Sequence, residues 1–107
     1  MIPAFDQSLW RRRVGDVIAR LPDDKIVRSV RANMEMLVAC MLEEMHPAWT
    51  PEDPDDYRPF SERSCDDVID ERFFYLQGAS AARARLEMRN IMRALLALRR
   101  RLRPELG

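Results

Sequence analysis

Catalysis and metal binding need side chains that can be placed and tuned. The chain holds one histidine, His46, and two cysteines, Cys40 and Cys65. His46 stands beside Pro47, where the role of an exposed residue at a helix end accounts for it. One imidazole and two distant thiols do not make the tetrahedral set that zinc takes. Asp66, Asp67, Asp70 and Glu71 cluster at an expected helix start, and the positive end of the helix dipole explains them without a metal. Asp55 and Asp56 lack the ligand spacing of a calcium loop. Three glycines build no phosphate-binding loop. The expectation is a protein that is not an enzyme, with no catalytic residues, no cofactor and no metal. Cys40 lies in an apolar stripe and reads as a small buried hydrophobe. Cys65 lies near a helix start, where a thiol pKa can be lowered. Nothing in their spacing supports a disulfide, so two free thiols in a reducing compartment are expected.

Binding chemistry is better represented. Arg99, Arg100, Arg101 and Arg103 could contact phosphates, but no aromatic side chains interleave with them for base stacking. Cations are also favoured at the negative end of a helix, and the formal net charge is zero. Nucleic acid is therefore not the expected partner. Met34, Met41 and Met45, with Met36 nearby, form a stripe that serves either as core or as an adaptable binding face. Phe5, Leu9 and Trp10 either cap the core or anchor a partner, since aromatics are common binding hot spots. The partner-binding candidates are Phe5, Leu9, Trp10, Met34, Met41 and Phe73.

These residues must be positioned by helices. The 107 residues, 47% hydrophobic and 34% charged, suffice for one folded domain over 1–107. Apolar residues at Trp10, Val14, Val17, Ile18 and Leu21 predict a first helix over about 7–20. Gly15 weakens it by about 1 kcal/mol relative to alanine, so it needs a surface to lean on. Pro22, Asp23 and Asp24 stop that helix and start a second over about 23–45. Val27, Val30, Met34, Leu37, Met41 and Met45 mark its inner stripe, widened by Ile26, Val38 and Leu42. Residues 46–64, with Pro47, Pro51, Pro54 and Pro59, form a linker that no regular element survives. Trp49, Tyr57 and Phe60 either pin this linker to the helices or bind a partner.

A third helical pattern runs over about 65–103, with Ser64 and Asp67 in capping-box spacing. Ile69, Phe73 and Leu76 open its apolar face. Ala84, Met88, Ile91, Leu95, Leu98 and Leu102 alternate four and three, a heptad seam. Gly78 begins a run of small residues that marks either a bend or a close helix crossing. Unbroken, this helix would span on the order of 60 Å, whereas a domain of this size has a radius of gyration of about 13 Å. Either it breaks near Gly78 or its seam must be covered by another chain. The seam residues are the expected homodimer interface of a helical bundle built on two long antiparallel helices. Charge is segregated as well: between Glu43 and Glu71 stand eleven acids and two arginines, and after Glu71 nine arginines and two acids. The two regions can face each other within one subunit or across two.

The order of elements resembles the small quorum-sensing antiactivators of the TraM and QslA type. The likeness lies in a short helix ending in Leu21-Pro22-Asp23-Asp24, a long apolar-striped helix, a Pro-containing link, and a longer helix beyond it. It covers roughly Val14 to Leu102. It implies a helical homodimer that sequesters a LuxR-type transcriptional activator such as LasR, blocking its dimerisation or DNA binding. The longer acidic linker and Arg-rich end depart from the TraM pattern. The rival readings are a nucleic-acid-associated helical protein using the Arg-rich end and a structural or chaperone-like dimer. The start MIPAFDQSLWRRR has no apolar run of signal-peptide length, and no stretch reaches the ~20 apolar residues of a membrane span. The expected location is the cytoplasm, with no membrane partner.

Overall fold

In a computed structural model that describes residues 7–106, the chain folds into four α-helices with no strand among those residues. They are α1 (Gln7–Ile18), α2 (Lys25–Glu44), α3 (Glu62–Phe73) and α4 (Ala79–Leu102), and a short 3-10 turn (Pro104–Leu106) follows. The all-α class expected from the apolar periodicity is the class that forms.

α1 buries Trp10, Val14, Gly15, Val17 and Ile18. Gly15 sits where α1 crosses α2: a Cβ there would come within 3.2 Å of the Arg31 guanidinium. α2 starts at Lys25 rather than at residue 23, because Asp24 stays extended and its carboxylate accepts from the Val27 amide at 2.8 Å. That satisfies one of the free donors of the first turn. Val27, Val30, Met34, Leu37, Val38, Met41 and Leu42 then face inward. Two residues assigned to this inner stripe do not belong to it. Ile26, on the flank of that face in the first turn of α2, is 51% exposed, and Cys40, about a third of a turn round from Met34 and Met41, is also exposed.

The third helical pattern is two helices. The cap of α3 lies three residues before the expected Ser64: Ser61 is the cap, its hydroxyl accepting from the Ser64 amide while the Ser64 hydroxyl accepts from the Ser61 amide. It ends at Phe73, and Gly78 breaks the path with φ +99° and ψ 172°, a backbone region open essentially to glycine alone. A Cβ at Gly78 would meet nothing within 4 Å, so the demand is on the backbone and not on space. The small-residue patch is thus a bend. α4 returns antiparallel along α3, placing Asp66 beside Arg89 and Arg93 and Asp70 beside Arg85 and Arg89. The segregated charges therefore meet within one subunit. Pairs of this kind are individually weak and orient the hairpin more than they stabilise it.

α4 packs against α1, α2 and α3. Its 24 residues span about 36 Å, inside the 40 Å longest dimension of the fold. It does not outreach its own chain, so its length calls for no second chain to cover it. Ala84, Met88 and Leu95 lie in the monomer core, and Ile91, Leu98 and Leu102 pack half-buried against it. Cys65 is in the same core, where burial first and the neighbouring Asp66 second push its thiol up to about 11. The lowered pKa considered for a helix-start thiol is not found. Both cysteines are free. No helix among the described residues is long and apolar enough to cross a membrane.

Candidate protein-docking surface

Two arginines at the end of α4 are drawn into the fold. Arg99 is 2% exposed and faces Glu44, which is 7% exposed. The Arg99 Nε and Glu44 Oε2 stand 3.8 Å apart, and Tyr57 bridges the pair. Its hydroxyl donates to Glu44 Oε1 at 2.7 Å and accepts from Arg99 Nη2 at 2.6 Å. Burial, and after it the Glu44 carboxylate, raises the Tyr57 phenol above its ordinary pKa. Arg99 also donates to the Phe60 carbonyl. Arg103 donates to the carbonyls of Glu44, His46 and Trp49 and to the Glu105 carboxylate, which lowers the Glu105 pKa. Trp49 and Tyr57 lie 5.6 Å apart, tilted, and Phe60 packs on the core.

The Pro-rich linker is therefore pinned to the helices through its aromatics and its backbone carbonyls. Its own carboxylates on Glu52, Asp53, Asp55 and Asp56 form no ion pair among the described residues. The cluster holds a loop in place, its charges turned on each other.

The binding residues expected from sequence are placed mostly inside. Met34, Met41 and Phe73 are fully buried and Trp10 nearly so, with the Arg13 guanidinium 4.6 Å above the Trp10 ring. Leu9 is half-buried. Phe5 lies outside the described residues. Core burial of the methionine stripe and of Trp10 removes them as a ready contact surface. The heptad residues of α4 are likewise occupied by the chain itself.

Exposed apolar side chains gather elsewhere. Phe74 and Tyr75, in the bend between α3 and α4, are 70% and 74% exposed. Their rings meet edge to face, with centroids 5.1 Å apart. Across from them lies Ile26 on α2. Between the two runs a groove of about 570 Å³, lined also by Lys25, Ser29, Val30, Asn33, Glu71 and Arg72. Two exposed aromatics and an exposed isoleucine around one concavity are unusual on a surface otherwise studded with arginine. The sequence held a signal for this. Phe73, Phe74 and Tyr75 follow one another, and successive helical residues point 100° apart, so Ile69 and Phe73 facing inward leave the next two rings outside. Met36, 65% exposed, is missed for the same reason: it lies nearly opposite Met34 on α2.

No group of three or more His, Cys, Asp or Glu among the described residues is arranged to hold a metal ion. No family model, curated protein or solved structure matches the chain.

Proposed function

We propose that this chain is a protein-binding regulator that docks a partner in the groove between Ile26 and the Phe74–Tyr75 pair. The observation that carries the reading is the aromatic pair, exposed and held edge to face beside a preformed concavity. Rigid aromatics offer much contact area at a small loss of side-chain freedom. The resemblance to the small antiactivators supplies the specific form. In that form a homodimer in the cytoplasm sequesters a LuxR-type transcriptional activator such as LasR and blocks its dimerisation or DNA binding. The nucleic-acid reading loses support, because Arg99 and Arg103 spend their donors inside the fold.

A mobility-shift titration tests the reading. The purified chain is expected to leave bare promoter DNA unshifted and to dissolve the complex of that DNA with the activator. The Phe74→Asp/Tyr75→Asp variant should fail to dissolve it while keeping its helical circular dichroism. An activator complex indifferent to the wild-type chain would overturn the antiactivator form, and a salt-sensitive shift of bare DNA would favour the nucleic-acid reading.

A further inference from the structure

The outer face of α2 carries a second heptad seam that the core does not use. Lys25, Ser29, Ala32, Met36, Ala39 and Glu43 are spaced four, three, four, three, four. All are exposed except Ala39, which is half-buried, and Met36 is 65% exposed. Between its ends the seam carries no charge. The other exposed charges of the helix are spoken for: Arg28 pairs with Asp23, and Arg31 with Glu35. Lys25 and Glu43 have no ion-pair partner among the described residues. They stand one at each end, eighteen positions and about 27 Å apart, with opposite sign.

The spacing reads the same in both directions. An antiparallel second copy therefore meets it in register. Lys25 comes opposite Glu43 of the other copy, Ser29 opposite Ala39, and Ala32 opposite Met36. Each large side chain faces a small one, so two thioethers fill the space that two alanines leave on either side of the axis. A parallel pairing would instead set lysine on lysine and glutamate on glutamate. A charged partner of another kind would need to match both a cation and an anion at this separation, which a second copy does by symmetry.

We infer that this chain forms an antiparallel homodimer through the outer face of α2, centred between Ala32 and Met36 and closed at both ends by Lys25–Glu43 pairs. The interface is new relative to the α4 seam expected from sequence. It shares Lys25 and Ser29 with the lining of the Phe74–Tyr75 groove, which lies toward the Lys25 end of the seam, and it does not depend on any partner protein.

Multi-angle light scattering of the purified full chain, alone, is the test. Wild type is expected at twice its 12.6 kDa chain mass at micromolar concentration. Met36→Arg should weaken the dimer by at least about tenfold with unchanged helical circular dichroism, because the side chain is exposed. Lys25→Glu and Glu43→Lys should each weaken it, and the double swap Lys25→Glu/Glu43→Lys should restore it. A monomeric wild type overturns the inference. So does a dimer indifferent to Met36→Arg, or one that the double swap leaves as weak as the single variants. Activator binding plays no part in these readouts: a monomeric wild type removes the homodimer from the proposed function, whereas a dimer that fails to dissolve the activator complex removes only the docking reading.

Discussion

Replacing Arg99 by methionine isolates what the buried polar cluster contributes. Methionine keeps most of the side-chain volume and removes the charge. The Glu44 carboxylate, 7% exposed, then loses its counter-charge, Tyr57 loses one of its two partners, and the Phe60 carbonyl loses its donor. Stranding one member of a buried ion pair costs about 3–5 kcal/mol. Domains of this size have about 5–15 kcal/mol in all, so the loss is about a fifth of the total or more. It should lower the melting temperature by about 12 °C at least. Urea unfolding followed by circular dichroism measures it. Glu44→Met alone should be similarly damaging, since it strands Arg99. The double variant Glu44→Met/Arg99→Met should be more stable than either single, because no charge is left unpaired. A loss below about 1 kcal/mol in Arg99→Met, or strictly additive losses in the double variant, would refute the view that these charges depend on each other.

Four further outcomes follow from the geometry. At about pH 8 iodoacetamide should modify Cys40 and spare Cys65 until the chain is unfolded; equal labelling of both would mean the core opens readily. The pKa of the Cys65 thiol is raised in the fold, so its contribution is complete below about pH 9 and is lost as pH climbs toward the folded value of about 11, by on the order of 2–3 kcal/mol. Cys65→Ala should flatten that alkaline fall in the urea midpoint, and an equally steep fall in the variant would assign it to other groups. Gly78→Ala should lose about 1–3 kcal/mol, because φ +99° is open essentially to glycine; unchanged stability would mean the bend is reached another way. Gly15→Ala gains about 1 kcal/mol of helix propensity. Its Cβ meets only the far end of the Arg31 side chain at 3.2 Å, so thermal melting should show a small net stabilisation, and a marked loss would show that guanidinium to be fixed.

The inner stripes of α1 and α2 were legible because Val14 and Val17, or Met34 and Met41, repeat at the helical period with no competing face. The bend at Gly78 was visible as a choice but not as an outcome, since the residues after a glycine do not state its φ. The α3 cap was misplaced by three positions because Ser61 and Ser64 both offer a capping hydroxyl. Only the backbone path out of the linker decides which of them caps. The exposed apolar surface was hidden for a different reason. Apolar type alone nominated Met34, Met41, Phe73 and Trp10, whereas exposure depends on phase, which left Met36, Phe74 and Tyr75 outside, and on place along the helix, which left Ile26 outside in the first turn of α2. The buried arginines were invisible because Arg99 and Arg103 look like Arg100 and Arg101 until the linker is folded over them.

That last point divides the arginines of this chain by their tolerance to replacement. The chain carries seventeen arginines and a single lysine. At exposed positions such as Arg11, Arg12, Arg100 and Arg101, lysine would do the same work of solvation, and drift between the two residues should leave no mark. At Arg103 it would not. A planar fork there reaches three carbonyls and a carboxylate at once, and a single ammonium on a flexible stem cannot span that arc. A lineage that exchanged arginine for lysine elsewhere along the helix would have to keep the guanidinium at this one turn, or lose the hold on the loop that α4 closes over.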